Sequence, residues 1–208
     1  MGGRGASSSG RYGGGGELSS ADILSTNSFV SERHNYDISN DVLDVFKNVN
    51  EEYGYVIGDI LVAKIKGNSK AMAYYDGTNI GFNEAYASTK VLNKAYADSV
   101  KSGFHPSNGN KSPAEAVASH ELGHALSDAV GKKMGGLDID SASDRIVKEA
   151  KKQTGHRGVV QMAKKISTYA THSNAEAVAE AFSDVYCNGK KAHKESQAIV
   201  NVINSYLK

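Results

Sequence analysis

Ser112-Pro113-Ala114-Glu115-Ala116-Val117-Ala118-Ser119-His120-Glu121-Leu122-Gly123-His124-Ala125-Leu126-Ser127-Asp128-Ala129-Val130-Gly131 is the stretch on which the reading of this chain turns. Ser112 and Glu115 stand three residues apart as a capping box, with Pro113 at the first helical position, so a helix starts there. Gly131 supplies a stop signal, and the expected helix runs from Pro113 to Val130. Within it, His120 and His124 lie one turn apart, roughly 6 Å along the axis, and lean from the same face. Two imidazoles so placed can reach a single metal ion. Glu121 is adjacent and can take a proton from water at that ion without binding it. Ala116, Val117, Ala118, Leu122, Ala125, Leu126 and Ala129 give the helix a broad apolar surface, which predicts burial. Buried histidines and a buried glutamate need partners.

Composition removes several function classes. At 208 residues the chain is long enough for one domain with a real core. Its 24 basic and 23 acidic residues nearly cancel, so nothing points to nucleic acid or to an anionic membrane. Cys187 is the one cysteine, which excludes an intrachain disulfide framework and a cysteine-rich zinc finger. No pattern around it resembles an activated thiol. Met1 to Gly16 is rich in glycine and serine, carries two arginines and lacks an apolar core, so it is neither signal peptide nor membrane anchor. The most apolar stretch, Tyr55 to Ile65, is broken by Asp59 and Lys64 and is too short to span a bilayer. The expectation is a soluble protein made in the cytoplasm, with export lacking an N-terminal signal left open.

Along the chain, residues 1–20 read as a flexible segment and 21–208 as one domain. The opening Gly2-Gly3-Arg4-Gly5-Ala6-Ser7 resembles, in composition, the N-termini of small proteins encoded near head genes of tailed phages. From Ile38 to Tyr53, Val42, Leu43, Val45, Phe46 and Val49 recur at helical spacing behind a capping Ser39 or Asn40. Tyr55 to Ala63 reads as a strand or strand pair broken at Gly58. Ala71 to Tyr75 and Asn79 to Asn83 flank Asp76-Gly77 as a hairpin. A small mixed sheet follows, with Asn79 to Asn83 expected at its edge and available to an extended peptide. Ala85 to Val100 reads as a helix and Gly103 to Gly109 as a loop. Gly131 to Ala142 reads as loop or short helical turns. Helices are expected over Ser143 to Lys152, Val159 to Lys165, Asn174 to Tyr186 with Asn174 as its cap, and Lys191 to Tyr206.

A catalytic zinc takes three protein ligands and leaves one position open. A third histidine at the metzincin spacing is absent, since Ser127 and Val130 stand at the glycine and histidine positions of that pattern. The remaining candidates are Glu176 and Glu180, four residues apart on one helical face, and His172 just before them. His105 could line the cleft, although a loop histidine ahead of a proline carries no such signal by itself.

His120-Glu121-Leu122-Gly123-His124 is the H-E-x-x-H signature of zinc metalloproteases. Together with Tyr169-Ala170-Thr171-His172-Ser173-Asn174-Ala175-Glu176-Ala177-Val178-Ala179-Glu180-Ala181-Phe182 it resembles the catalytic domain of anthrax lethal factor. It is also similar to the clostridial Pro-Pro endopeptidases and to zincin-like proteins of phages and mobile elements. The resemblance runs from the motif helix to Phe182. It implies an α+β zincin-like fold, with a small mixed sheet over the motif helix and a mostly helical C-terminal half. It further implies zinc held by His120, His124 and Glu176, Glu121 as general base and Glu180 supporting a histidine ligand from the outer shell. Tyr169, seven residues before Glu176, would assist at the substrate oxyanion. The implied activity is zinc-dependent hydrolysis of a protein or peptide substrate bound in extended form. A phage or prophage origin, with phage structural proteins as partners and virion association, fits the same resemblance. A virion structural protein that retains the zincin shell, or a toxin protease, are the alternatives. The departures are Ala177-Val178, where the secreted enzymes tend to carry aromatics, and the lack of any receptor-binding module, so substrate identity does not carry over.

Overall fold

The computed structural model describes residues 19–25, 36–54, 59–65 and 70–208. In chain order these form β1 (Ser19–Ser25), α1 (Ser39–Tyr53), β2 (Asp59–Lys64), β3 (Ala73–Tyr75), β4 (Ile80–Asn83), α2 (Thr89–Lys101), α3 (Pro113–Lys133), α4 (Ile139–Thr154), α5 (Val159–Ala163), α6 (Asn174–Asn188) and α7 (Lys194–Leu207). The class is α+β, with one small sheet and a helical remainder. Among the described residues no helix is long and apolar enough to cross a membrane.

The sheet has the order β1-β2-β4-β3 and is mixed: β2 runs parallel to β4, and the outer pairs are antiparallel. The expected hairpin is present. Asp76 N–H donates to the Asn79 carbonyl at 3.1 Å, and the Asp76 carboxylate accepts from the amides of Thr78 and Asn79 at 2.9 and 2.7 Å. Gly77 sits at φ 99°, the left-handed backbone such a turn demands. The edge assignment is corrected. Asn79 to Asn83 was expected at the border, but β4 lies between β2 and β3 and is buried along its whole length. The reason lies in connectivity. Because β2 and β4 are parallel, the chain must cross over between them, and the hairpin partner β3 is left on the outside. Gly81 makes room for that partner, since the Tyr74 ring opposite it occupies the space of a Cβ.

Other boundaries differ from expectation. Strand β1 starts at Ser19, inside the segment expected to be flexible, and pairs with β2 through its backbone. The expected residues 55–58 of the Tyr55–Ala63 strand lie outside the described residues, and β2 begins at Asp59. Helix α1 has Ile38 as its N-cap with no side-chain cap bond; Ser39 is already helical and buried. A backbone bond from Ser39 N–H to the Tyr36 carbonyl turns the chain there instead. The helix expected from Ala85 begins at Thr89, after a 3-10 turn over Glu84–Tyr86.

Helix α3 is the centre of the molecule. It touches α1, α2, α4, α6, α7 and β3. The Ser112–Glu115 capping box forms with both reciprocal bonds. Gly131 does not end it: the helix continues to Lys133 and is closed by Gly135 and Gly136, both at positive φ. Gly131 serves close packing instead. Its carbonyl accepts the N–H groups of Gly136 and Leu137 at 3.1 and 3.0 Å, and a side chain there would strike the Leu137 backbone. The segment expected as loop or short helical turns, Gly131 to Ala142, is thus mostly the end of α3 and the start of α4, which the Asp138 carboxylate caps through the Ser141 amide at 2.8 Å. Helix α7 starts three residues later than expected because Gly189–Lys191 forms a 3-10 turn, after which the Asp184 carboxylate accepts from His193. Ile146, Val147, Ile199, Val202 and Ile203 from α4 and α7 are buried in the core that closes over α6.

Candidate metal centre

Two helices build the centre. In α3, His120, Glu121 and His124 are all buried, with His124 fully so. In α6, the chain is capped by Ser173, whose hydroxyl accepts the Glu176 N–H at 3.1 Å. Asn174, expected to be the cap, is the first helical residue, and its amide donates to Asp144 on α4. Glu176 therefore lies in the first turn, where the helix dipole favours a carboxylate. Gly123 makes the two helices meet. A Cβ on it would sit 2.6 Å from the Ala179 Cα, so only glycine lets the α6 backbone come this near the motif face. Gly123→Ala is expected to force the helices apart, costing about 1–3 kcal/mol by overpacking and loosening the metal site with it. Thermal denaturation and zinc titration of that variant check both effects.

His120, His124 and Glu176 place their ligand atoms within 4.8 Å of one another. Oε2 of Glu176 is 3.2 Å from His120 Nε2 and 3.5 Å from His124 Nε2. A tetrahedral ion with bonds of about 2.0–2.1 Å spaces its ligand atoms about 3.3 Å apart, and the two distances bracket that value. Neither oxygen of Glu176 has a hydrogen-bond partner, although the side chain is wholly buried. A carboxylate so buried without hydrogen bonds is costly unless a cation faces it. Burial opposes its charge, yet the His124 and His120 rings outweigh burial and hold its pKa down at about 2. Burial likewise disfavours the His120 cation, but the Glu176 and Glu180 carboxylates prevail and raise its pKa. The donor set of two imidazoles and one carboxylate fits zinc.

Glu180, one turn deeper in α6, is fully engaged elsewhere. Its Oε1 accepts Nδ1–H of His120 at 2.8 Å and Nδ1–H of His105 at 2.9 Å, and its Oε2 accepts the Ser167 hydroxyl at 2.7 Å. Burial works against its charge, and the two histidines overcome it and keep it ionised. By holding Nδ1–H of His120, Glu180 leaves Nε2 of that ring to face Glu176.

Tyr169 opens the 3-10 turn Tyr169–Thr171 ahead of α6. Its ring stacks on His120 with centroids 5.7 Å apart and an 18° tilt, and on Phe104 at 4.8 Å and 25°. Backbone bonds from Thr168 to Gly103 and from Tyr169 to Phe104, at 2.9 and 3.0 Å, fasten this turn to the loop before α3. Its hydroxyl is buried without a hydrogen-bond partner. Burial first, then the charges of Glu176 and Glu121, push the phenol pKa upward, so it stays a donor. Glu121 also keeps an unpartnered Oε2, and burial raises its pKa against the pull of His120 and His124.

A cavity of about 640 Å³ opens beside these groups, between β3 and α2. Met72, Ala73, Tyr96, His105, Glu121 and Tyr169 are among its lining residues. The structure thus gathers His120, His124, Glu121, Glu176, Glu180 and Tyr169 at one place. His172 is not in the ligand group: it is exposed and meets the Tyr169 and Phe104 rings edge-on at 5.1 and 5.9 Å. Burial pushes the Cys187 thiol up to about 12, which leaves it inert. His105, read as a residue that could line the cleft, does line it, but its bond to Glu180 and that of Ser167 were missed; these contacts span 75 and 13 residues, and no local pattern announces either. Compared with known proteins, the chain matches no family model, and neither the curated proteins nor the solved structures contain a significant match to it.

Proposed function

We propose that the protein is a zincin-like, zinc-dependent endopeptidase. The observation that carries this reading is the convergence of His120, His124 and Glu176 on one point, with Glu121, whose Oε2 has no hydrogen-bond partner, at the wall of a cavity. A metal held only for structure takes four protein ligands; three ligands with an open side suit catalysis. A purely metal-holding scaffold also has no use for Glu121.

Zinc bound at this site would supply Lewis acidity toward a water and toward the scissile carbonyl. The chain's own residues do the rest. Glu121 takes the proton from the attacking water and passes it to the leaving amine. Tyr169 donates its hydroxyl to the developing oxyanion, with its ring fixed between His120 and Phe104. Glu180 fixes the ring orientation of His120. The substrate is a peptide in extended form, lying in the cavity along β3, whose outer edge has no strand partner among the described residues.

The test is metal analysis combined with cleavage of a peptide library. One zinc per chain and chelator-sensitive, zinc-restored cleavage are expected; a chain that binds zinc tightly yet cleaves nothing would leave a structural zinc protein. Tyr169→Phe is expected to lower kcat more than it raises KM, because an oxyanion contact acts mainly in the transition state. An unchanged kcat would return Tyr169 to packing.

A further inference from the structure

His105 lies outside the motif helix and the ligand helix, on the loop between α2 and α3. Five contacts fix its ring, one of them edge-on to His120 at 6.1 Å. It stacks on Tyr96 at 5.4 Å with a 4° tilt, meets Phe104 and Tyr169 edge-on at 5.0 and 5.4 Å, and gives Nδ1–H to Glu180 at 2.9 Å. That bond goes to the same oxygen, Oε1, that accepts Nδ1–H of His120. An ionised carboxylate accepts only, so both rings must present N–H to it, and both are held in one tautomer by one atom. Glu180 is 1% exposed, and Ser167 occupies its other oxygen. Removing the His105 donor would leave Oε1 with one partner where it now has two, and the carboxylate less firmly held in its plane.

We propose that His105 is a positioning residue of the metal centre: its Nδ1–H pins the Glu180 carboxylate so that Oε1 meets Nδ1–H of His120 and aims Nε2 of His120 at the ion. The inference rests on the metal-site reading above and adds a residue on a third element to it. The alternative role for His105 is packing, since its ring fills the space between Tyr96 and Tyr169. Two substitutions separate the roles. His105→Phe keeps an aromatic ring to stack on Tyr96 and removes the donor. His105→Asn loses the ring but keeps an N–H donor, because Nδ2 of asparagine stands the same number of bonds from Cα as Nδ1 of histidine.

The measurement is zinc affinity of the full chain by competition with a chromophoric chelator, with the visible spectrum of the Co²⁺-loaded chain as a second readout. His105→Phe is expected to weaken zinc binding about 10- to 100-fold, the usual loss when outer-shell support of a ligand is removed, and to shift the cobalt bands. His105→Asn is expected to bind zinc close to wild type with unshifted bands. Wild-type affinity in His105→Phe, or a loss in His105→Asn as large as in His105→Ala, would overturn the proposal and leave His105 a packing residue. Should His105→Phe not fold, the asparagine variant decides alone by the same criterion. A wild-type chain without affinity for zinc would instead overturn the metal-site reading itself, a result distinct from tight wild-type binding that His105 does not influence.

Discussion

Glu121→Gln is expected to leave zinc content and fold intact while lowering peptide cleavage by about 10²- to 10⁴-fold, the contribution of a positioned general base. The amide has the shape of the carboxylate and cannot accept the proton. Glu121 is not among the three converging ligand atoms, so the metal should not be disturbed. Its Oε2 has no hydrogen-bond partner, so the substitution breaks no hydrogen bond there, and it removes a charge that burial disfavours. The melting temperature of the variant should therefore equal or exceed that of the parent. This separates loss of chemistry from loss of structure. Single-turnover cleavage of a library-derived peptide, with zinc measured on the same sample, is the check. Turnover near the parent rate would remove the peptidase mechanism, whatever the zinc content.

How far the sequence disclosed this centre depends on how local each signal is. The Ser112–Glu115 box and the His120/His124 spacing are properties of a single helix, where 3.6 residues per turn translate sequence into geometry. They appear in the structure as read. The Asp76-Gly77 turn is equally local, and its hairpin forms. The order of strands is not local. Nothing in Ile80–Asn83 itself says that β2 will run parallel beside it, and that pairing moves the free edge to β3. Helix ends failed where packing overrides a stop signal: Gly131 reads as a terminator, but its missing side chain answers the approach of Leu137. Gly123 taught the same lesson within the motif, for the position between the histidines that looks variable is the place where α6 touches α3. His105 could be read as a lining residue, but its bond to Glu180 was beyond reach because the partner lies 75 residues away and no periodicity connects a loop to a helix interior.

Glu176→Ala and Glu180→Ala are expected to fail in different ways, and the difference decides which acid completes the metal site. Glu176 brings Oε2 to 3.2 and 3.5 Å from the two imidazole Nε2 atoms, and neither of its oxygens is hydrogen-bonded. Glu180 has both oxygens committed, to His105, His120 and Ser167. Truncating Glu176 removes one of three protein ligands, so tight zinc binding should be lost outright. Truncating Glu180 leaves all three ligands but frees the His120 ring, and zinc affinity should fall by about 10- to 100-fold. The metal-free proteins should differ as well. Glu180→Ala strands the buried donors of His120 and Ser167, each worth about 1–3 kcal/mol when left unsatisfied, and the part-buried one of His105, so its apo form should melt well below the parent. Chelator competition and thermal denaturation of both variants, with and without zinc, read out the four outcomes. Zinc retained by Glu176→Ala and lost from Glu180→Ala would exchange the two roles, and would place the metal one helical turn deeper, between His120 and His105.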